Sequence, residues 1–138
     1  MRAVLDTNVL IAAAIFSQSV PRRALDLVRA EGELIFTTSC FAEVQETLFR
    51  SKFDRYIAPA DRVDFVAMLF RSATWVDSAE AVRICRDPKD DKFLNAALAG
   101  NVECIVTGDG DLLALHPFRG IRILKPATFL AAFTEPAR

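Results

Sequence analysis

Four carboxylates, Asp6, Glu43, Asp91 and Asp109, lie on four separate stretches of this 138-residue chain, each beside a signal for the end of a strand or the start of a helix. Asp6 follows the apolar run Ala3-Val4-Leu5, and Asp109 follows Cys104-Ile105-Val106-Thr107. Both runs lack polar alternation, as strands covered on both faces do. Open α/β sheets keep ligands at the carboxyl ends of such interior strands. If these two strands are neighbours where the sheet reverses its winding, Asp6 and Asp109 emerge side by side. Glu43, on the helix after the second strand, and Asp91, at a later helix start, then flank the same edge, with Asp111 as a fifth carboxylate. Carboxylates packed together raise one another's pKa, and a divalent cation removes that penalty. Oxygen-only donors suit Mg²⁺ or Mn²⁺ rather than zinc. A cation so held lowers the pKa of a bound water and stabilises charge on a phosphoryl oxygen, which is the chemistry of phosphodiester hydrolysis. Asp6, Asp91 and Asp109 are the expected ligands. Glu43 completes the set or helps deprotonate water, and Asn8 and Thr107 orient the carboxylates or a phosphate oxygen. The plainer alternatives are that Asp6 or Thr7 only caps the following helix, and that Asp90 or Asp91 only complements a helix dipole.

Composition excludes several other chemistries. The single histidine, His116, stands beside Pro117 in an expected surface loop, so a Ser-His-Asp arrangement is disfavoured. Three cysteines without a CxxC pair argue against a zinc cluster or disulfide framework and fit a reducing, cytoplasmic setting with all three buried. No run approaches the ~20 apolar residues of a membrane span. A net charge of −1 means that attraction for phosphates must be local. Arg22, Arg23, Arg50, Lys52, Arg86, Lys89 and Lys92 lie in or beside expected loops and helix ends. Of these, Arg50, Lys52, Arg86, Lys89 and Lys92 are the candidates for holding a polyanion, with Phe53 and Tyr56 able to stack on bases.

The elements that must position these groups alternate along the chain. Strands are expected at 3–5, 34–37, 74–76, 104–107 and 121–124. Helices are expected at 9–16, 20–30, from Thr38 or Ser39 to Phe49, at 60–71, 93–99 and 127–133, with a helical turn at 111–113. Ser19 and Pro21 open the second helix and Gly32 stops it. The helix over 60–71 carries an apolar stripe of Val63, Val66, Met68, Leu69 and Phe70. Trp75 reads as core. Gly108 and Gly110 allow a sharp turn, and Glu135 to Arg138 should fray. Such alternation defines one α/β domain with a mainly parallel sheet and helices on both faces.

The motifs Val4-Leu5-Asp6-Thr7-Asn8-Val9-Leu10, Ser39 to Leu48 with Glu43, Asp87-Pro88-Lys89-Asp90-Asp91-Lys92-Phe93-Leu94, and Val106-Thr107-Gly108-Asp109-Gly110-Asp111-Leu112-Leu113 occur in that order over nearly the whole length. In this the chain resembles PIN-domain ribonucleases, specifically the toxin group of prokaryotic type II toxin–antitoxin pairs. The resemblance implies a three-layer α/β/α sandwich with a five-stranded sheet in the order 3-2-1-4-5. It implies Mg²⁺- or Mn²⁺-dependent cleavage of single-stranded RNA, homodimers, and a small antitoxin that binds over the site. Asp6, Glu43, Asp91 and Asp109 match the family's acidic quartet, with Asp87 and Asp90 beside it.

Three other readings are weaker. A haloacid-dehalogenase-like phosphatase needs a second aspartate two residues after the first, where this chain has Asn8. A receiver-like module needs an acidic pair after the first strand and a phosphorylatable aspartate, for which Asp77 is a poor candidate. A catalytically silent PIN-like interaction domain would keep the acidic edge and only bind.

Overall fold

The computed structural model describes residues 1–78 and 83–134, so the expected fraying of Glu135 to Arg138 lies outside the described residues. Its sheet has five parallel strands in the order β3-β2-β1-β4-β5. These are β1 (Arg2–Leu5), β2 (Glu33–Phe36), β3 (Ala73–Trp75), β4 (Cys104–Val106) and β5 (Arg122–Leu124). The helices are α1 (Thr7–Ile15), α2 (Val20–Glu31), α3 (Thr38–Leu48), α4 (Pro59–Ser72), α5 (Asp91–Ala99), α6 (Gly110–Leu113) and α7 (Pro126–Phe133). Short 3₁₀ turns occupy Ser51–Phe53 and Pro88–Asp90. The architecture is the expected three-layer α/β/α sandwich.

β1 and β4 are central because their side chains can only be buried. Ala3, Val4, Leu5, Cys104, Ile105 and Val106 are all almost fully covered. Their register pairs Leu5 with Val106, so both strands end at the same level and their next residues share one edge. Asp6 N–H continues the ladder to Val106 O at 3.0 Å, and Thr107 N–H does the same to Leu124 O at 2.9 Å. The reversal of winding between β1 and β4 opens the crevice there.

Several local expectations are corrected by packing. Thr37, not Thr38 or Ser39, caps α3, its hydroxyl accepting from Cys40 N–H at 3.2 Å. In a run of three hydroxyl residues, the one still in strand-like conformation can make that bond. Gly32 ends α2 with an extended backbone rather than a left-handed one. What requires glycine there is space: a Cβ would lie 2.2 Å from Met1 O. Gly108 and Gly110 have no left-handed backbone and a Cβ added to either would meet nothing within 4 Å, so the chain path there does not require glycine.

The expected stripe on α4 is also displaced. Its buried line is Arg62, Phe65 and Leu69, whereas Val63 and Phe70 are 56% and 58% exposed. Arg62 is accommodated because its guanidinium donates twice to Ile57 O, at 2.9 and 3.1 Å, and once to Asp54 at 2.8 Å. Phe49, the expected last residue of α3, is its exposed C-cap. Trp75 is 38% exposed because β3 is an edge strand, and it packs with Phe36, Phe41 and Phe70 at centroid distances of 5.1–6.0 Å. Cys40 and Cys104 are buried, but Cys85 is half-buried; all three are free thiols. Among the described residues, no helix is long and apolar enough to cross a membrane.

Candidate active site

An open cleft of ≈ 570 Å³ lies over the carboxyl ends of β1 and β4. Asp6 stands at its base. Being the first residue past β1, it caps α1: Oδ1 accepts from Val9 N–H at 2.8 Å. The capping account of Asp6 is therefore correct for one oxygen. The other, Oδ2, accepts from the buried hydroxyl of Thr107. Burial first of all pushes the Asp6 carboxyl above its usual range, with Asp109 and Glu43 adding to the rise, while the bonds from Thr107 and Val9 oppose it.

Thr107 joins the two central strands chemically. Its oxygen donates to Asp6 and accepts from Asp109 N–H at 3.0 Å. Asp109 in turn caps α6, with Oδ1 3.4 Å from Asp111 N–H. Its Oδ2 is buried and has no hydrogen-bond donor among the described residues. Two ionised carboxylates cannot bond to each other, but a protonated Asp90 could donate to Asp109. Burial, that hydrogen bond and the charges of Asp109, Asp87 and Asp6 hold the Asp90 carboxyl up at about 6.

Asp90 thus stands at the position where the sequence pattern put Asp91. Both residues have helical backbone angles, so their side chains diverge by ~100°. Asp90 lines the cleft. Asp91 does not: its Oδ1 accepts from Cys85 N–H at 2.8 Å and Ile84 N–H at 3.0 Å. The Cys85 bond above all holds the Asp91 carboxyl below the usual range. No periodicity distinguishes two adjacent aspartates; the distinction depends on where the chain before Pro88 returns to α5.

Glu43 reaches the cleft from the second turn of α3. Its Oε2 accepts from the Thr7 hydroxyl at 2.8 Å and lies 3.4 Å from Lys92 Nζ. The sequence marks Thr7 only as a possible cap, and its link to Glu43 carries no sequence signal. Asn8, Asp87, Asp111, Arg50 and Lys89 line the cleft. Lys52 and Arg86 do not line it; Lys52 lies over the Phe53 ring at 5.1 Å. Among the described residues, Lys92 meets the site through Glu43 and does not line the cleft. Arg22 pairs with Asp26, and neither Phe53 nor Tyr56 lines the cleft. Among the described residues, no three carboxylate, thiol or imidazole side chains are grouped as they stand so as to hold a metal ion. The donor set is nonetheless oxygen-only, and the donorless Asp109 Oδ2 is the kind of atom a hard divalent cation would satisfy.

A parallel sheet of this order with an acidic crevice at its reversal point defines an α/β/α protein whose site is made by strand ends. Residues 2–111 match the family model described as the PIN domain, and the chain belongs to that family. It is 31% identical over 118 residues to an uncharacterized protein of Methanocaldococcus jannaschii, MJ1680, covering 84% of this chain and 76% of the relative. The fold is shared with PAE2754 from Pyrobaculum aerophilum, at a TM-score of 0.64 and 14% identity over 95% of this chain and 88% of that one. It is also shared with a chain of VapBC2 from Rickettsia felis, solved bound to a DNA fragment from their promoter. There the TM-score is 0.60 and the identity 13%, over 89% of this chain and 97% of that one.

Proposed function

We propose that the protein is a Mg²⁺- or Mn²⁺-dependent endoribonuclease that hydrolyses phosphodiester bonds in single-stranded RNA. The observation that carries this reading is the meeting of Asp6, Asp90 and Asp109 in one cleft, with Asp109 Oδ2 lacking a donor. Those three would hold the cation, with Glu43 and the exposed Asp111 at the rim. A bound divalent cation supplies positive charge for a phosphoryl oxygen and acidifies water. Thr107 keeps the two strand-end aspartates in fixed orientation. Glu43 can orient an attacking water or take its proton. Arg50 and Lys89 are the cations placed to meet flanking phosphates.

The family resemblance extends the reading to the toxin of a type II toxin–antitoxin pair, homodimeric and neutralised by a small antitoxin. Its support is the PIN family match and the fold shared with VapBC2. The cleavage test uses end-labelled single-stranded RNA with Mn²⁺ or Mg²⁺. Cleavage is expected with either ion, to stop in EDTA, and to fall by at least ~100-fold in Asp6→Asn with the fold retained. Cleavage that persists in EDTA or in Asp6→Asn would exclude the mechanism. That no three such side chains are grouped to hold a metal among the described residues favours the silent interaction domain as the second reading; uncleaved RNA under every condition would select it.

A further inference from the structure

The carboxylates that line the cleft are not equivalent in charge balance. Among the described residues, Asp6, Asp90 and Asp109 have no lysine or arginine within ion-pair distance. Glu43 has one. Lys92 Nζ lies 3.4 Å from its Oε2, and the Thr7 hydroxyl donates to the same oxygen at 2.8 Å. The ammonium does not come from the cleft. Lys92 lines a separate cavity with Thr37, Ser39 and Asn95, and approaches Glu43 from there. It is the second residue of α5, and the start of that helix is tied to α3 where the Cys40 thiol donates to Lys92 O at 3.6 Å. The ion pair is thus fixed at its backbone end as well as at its charged end.

We propose that Lys92 is a positioning residue that serves as the permanent counter-ion of Glu43, so that the divalent cation is held by the three aspartates without Glu43. The argument rests on the cation-dependent reading above and sharpens it. A carboxylate with one oxygen already shared by an ammonium and a hydroxyl has less charge to offer a second cation, and the ammonium repels that cation. The remaining oxygen, Oε1, stays available to water or substrate. Lys92 therefore keeps Glu43 oriented whether or not the cation is present. The site takes one divalent ion at the aspartates, with the ammonium supplying the charge that a second would bring.

The test is Mn²⁺ binding to the intact chain, measured by calorimetry and by the electron paramagnetic resonance of free Mn²⁺, independently of cleavage. Deleting the ion pair without changing net charge, in Glu43→Gln/Lys92→Met, should leave the Mn²⁺ affinity within about fivefold of the starting protein and the stoichiometry at one, because the two opposite charges removed cancel and neither side chain bonds to the three aspartates. The same double variant should lose most of its kcat with little change in KM. Lys92→Met alone should bind Mn²⁺ about tenfold more tightly, since a repulsive charge is gone and Glu43 is released; Lys92→Arg should behave as the starting protein. Where Lys92→Met does not fold, Lys92→Gln replaces it. A double variant that loses more than about fivefold in affinity gives Glu43 a share in holding the cation, a single variant that binds Mn²⁺ more weakly means that Lys92 does not oppose the cation, and either result overturns the proposal. Failure of the starting protein to bind Mn²⁺ at all overturns the cation-dependent reading itself, and this inference with it.

Discussion

Asp90 titrates in a range that stability measurements can reach. Its carboxyl is held up at about 6 against an ordinary 3.8. Because the unfolded chain gives up this proton first, ionisation costs the folded state stability as pH rises from 3.8 to about 6. Asp6, raised mainly by burial, has the same sign. In EDTA, the melting temperature should therefore contain a falling contribution across this window, and Asp90→Asn should reduce it; an unchanged profile in the variant would remove the assignment. Thr107 offers a second test. Thr107→Val keeps the shape but leaves Asp6 Oδ2 and Asp109 N–H without their shared partner. A loss of about 1–3 kcal/mol is expected, read as a lower urea midpoint at unchanged m. At this scale, Asp6 and Thr107 were legible because each directly follows an apolar strand, and Asp109 because it stands two residues past Thr107. Asp90 was not separable from Asp91, since adjacent residues of one type differ only in where the backbone turns them.

The elements show how far patterning reaches. Strands β1 and β4 could be identified as central from uninterrupted apolar runs, and α2 from Ser19 and Pro21, whose hydroxyl cap is present at 3.2 Å to Arg22 N–H. Helix α4 has nearly the expected bounds, but its buried face is shifted because a buried arginine breaks the apolar rule, and its partner, a main-chain carbonyl five residues earlier, has no side-chain signature. Its substitution should be costly. Arg62→Met leaves Ile57 O in a nearly closed environment with no donor, and about 1–3 kcal/mol of stability should be lost. Amide exchange over residues 51–57 should quicken, because Arg62 fastens that segment to α4 and so sets where Arg50 enters the cleft. Unchanged exchange there would assign the segment's order to other contacts.

For the molecule as a whole, topology supplies what spacing along the chain does not. Asp6 and Asp109 are separated by most of the sequence, yet the pairing of Leu5 with Val106 puts them on one edge. The strand order expected from the family motifs is the order found. Which cations border the cleft was less accessible: Arg50 and Lys89 do, while Lys52 and Arg86 lie elsewhere. Helix ends fix such long side chains only when their neighbours are known.

The outer aromatic cluster gives the protein an internal optical standard. The chain has a single tryptophan, and Trp75 sits in the edge strand among Phe36, Phe41 and Phe70, two strands from the acidic crevice. Its emission reports the integrity of that edge. Titration with Mg²⁺ should leave the fluorescence maximum in place, while urea shifts it to the red as the rings separate. A Mg²⁺-dependent spectral shift would mean that loading the crevice reshapes the far side of the sheet.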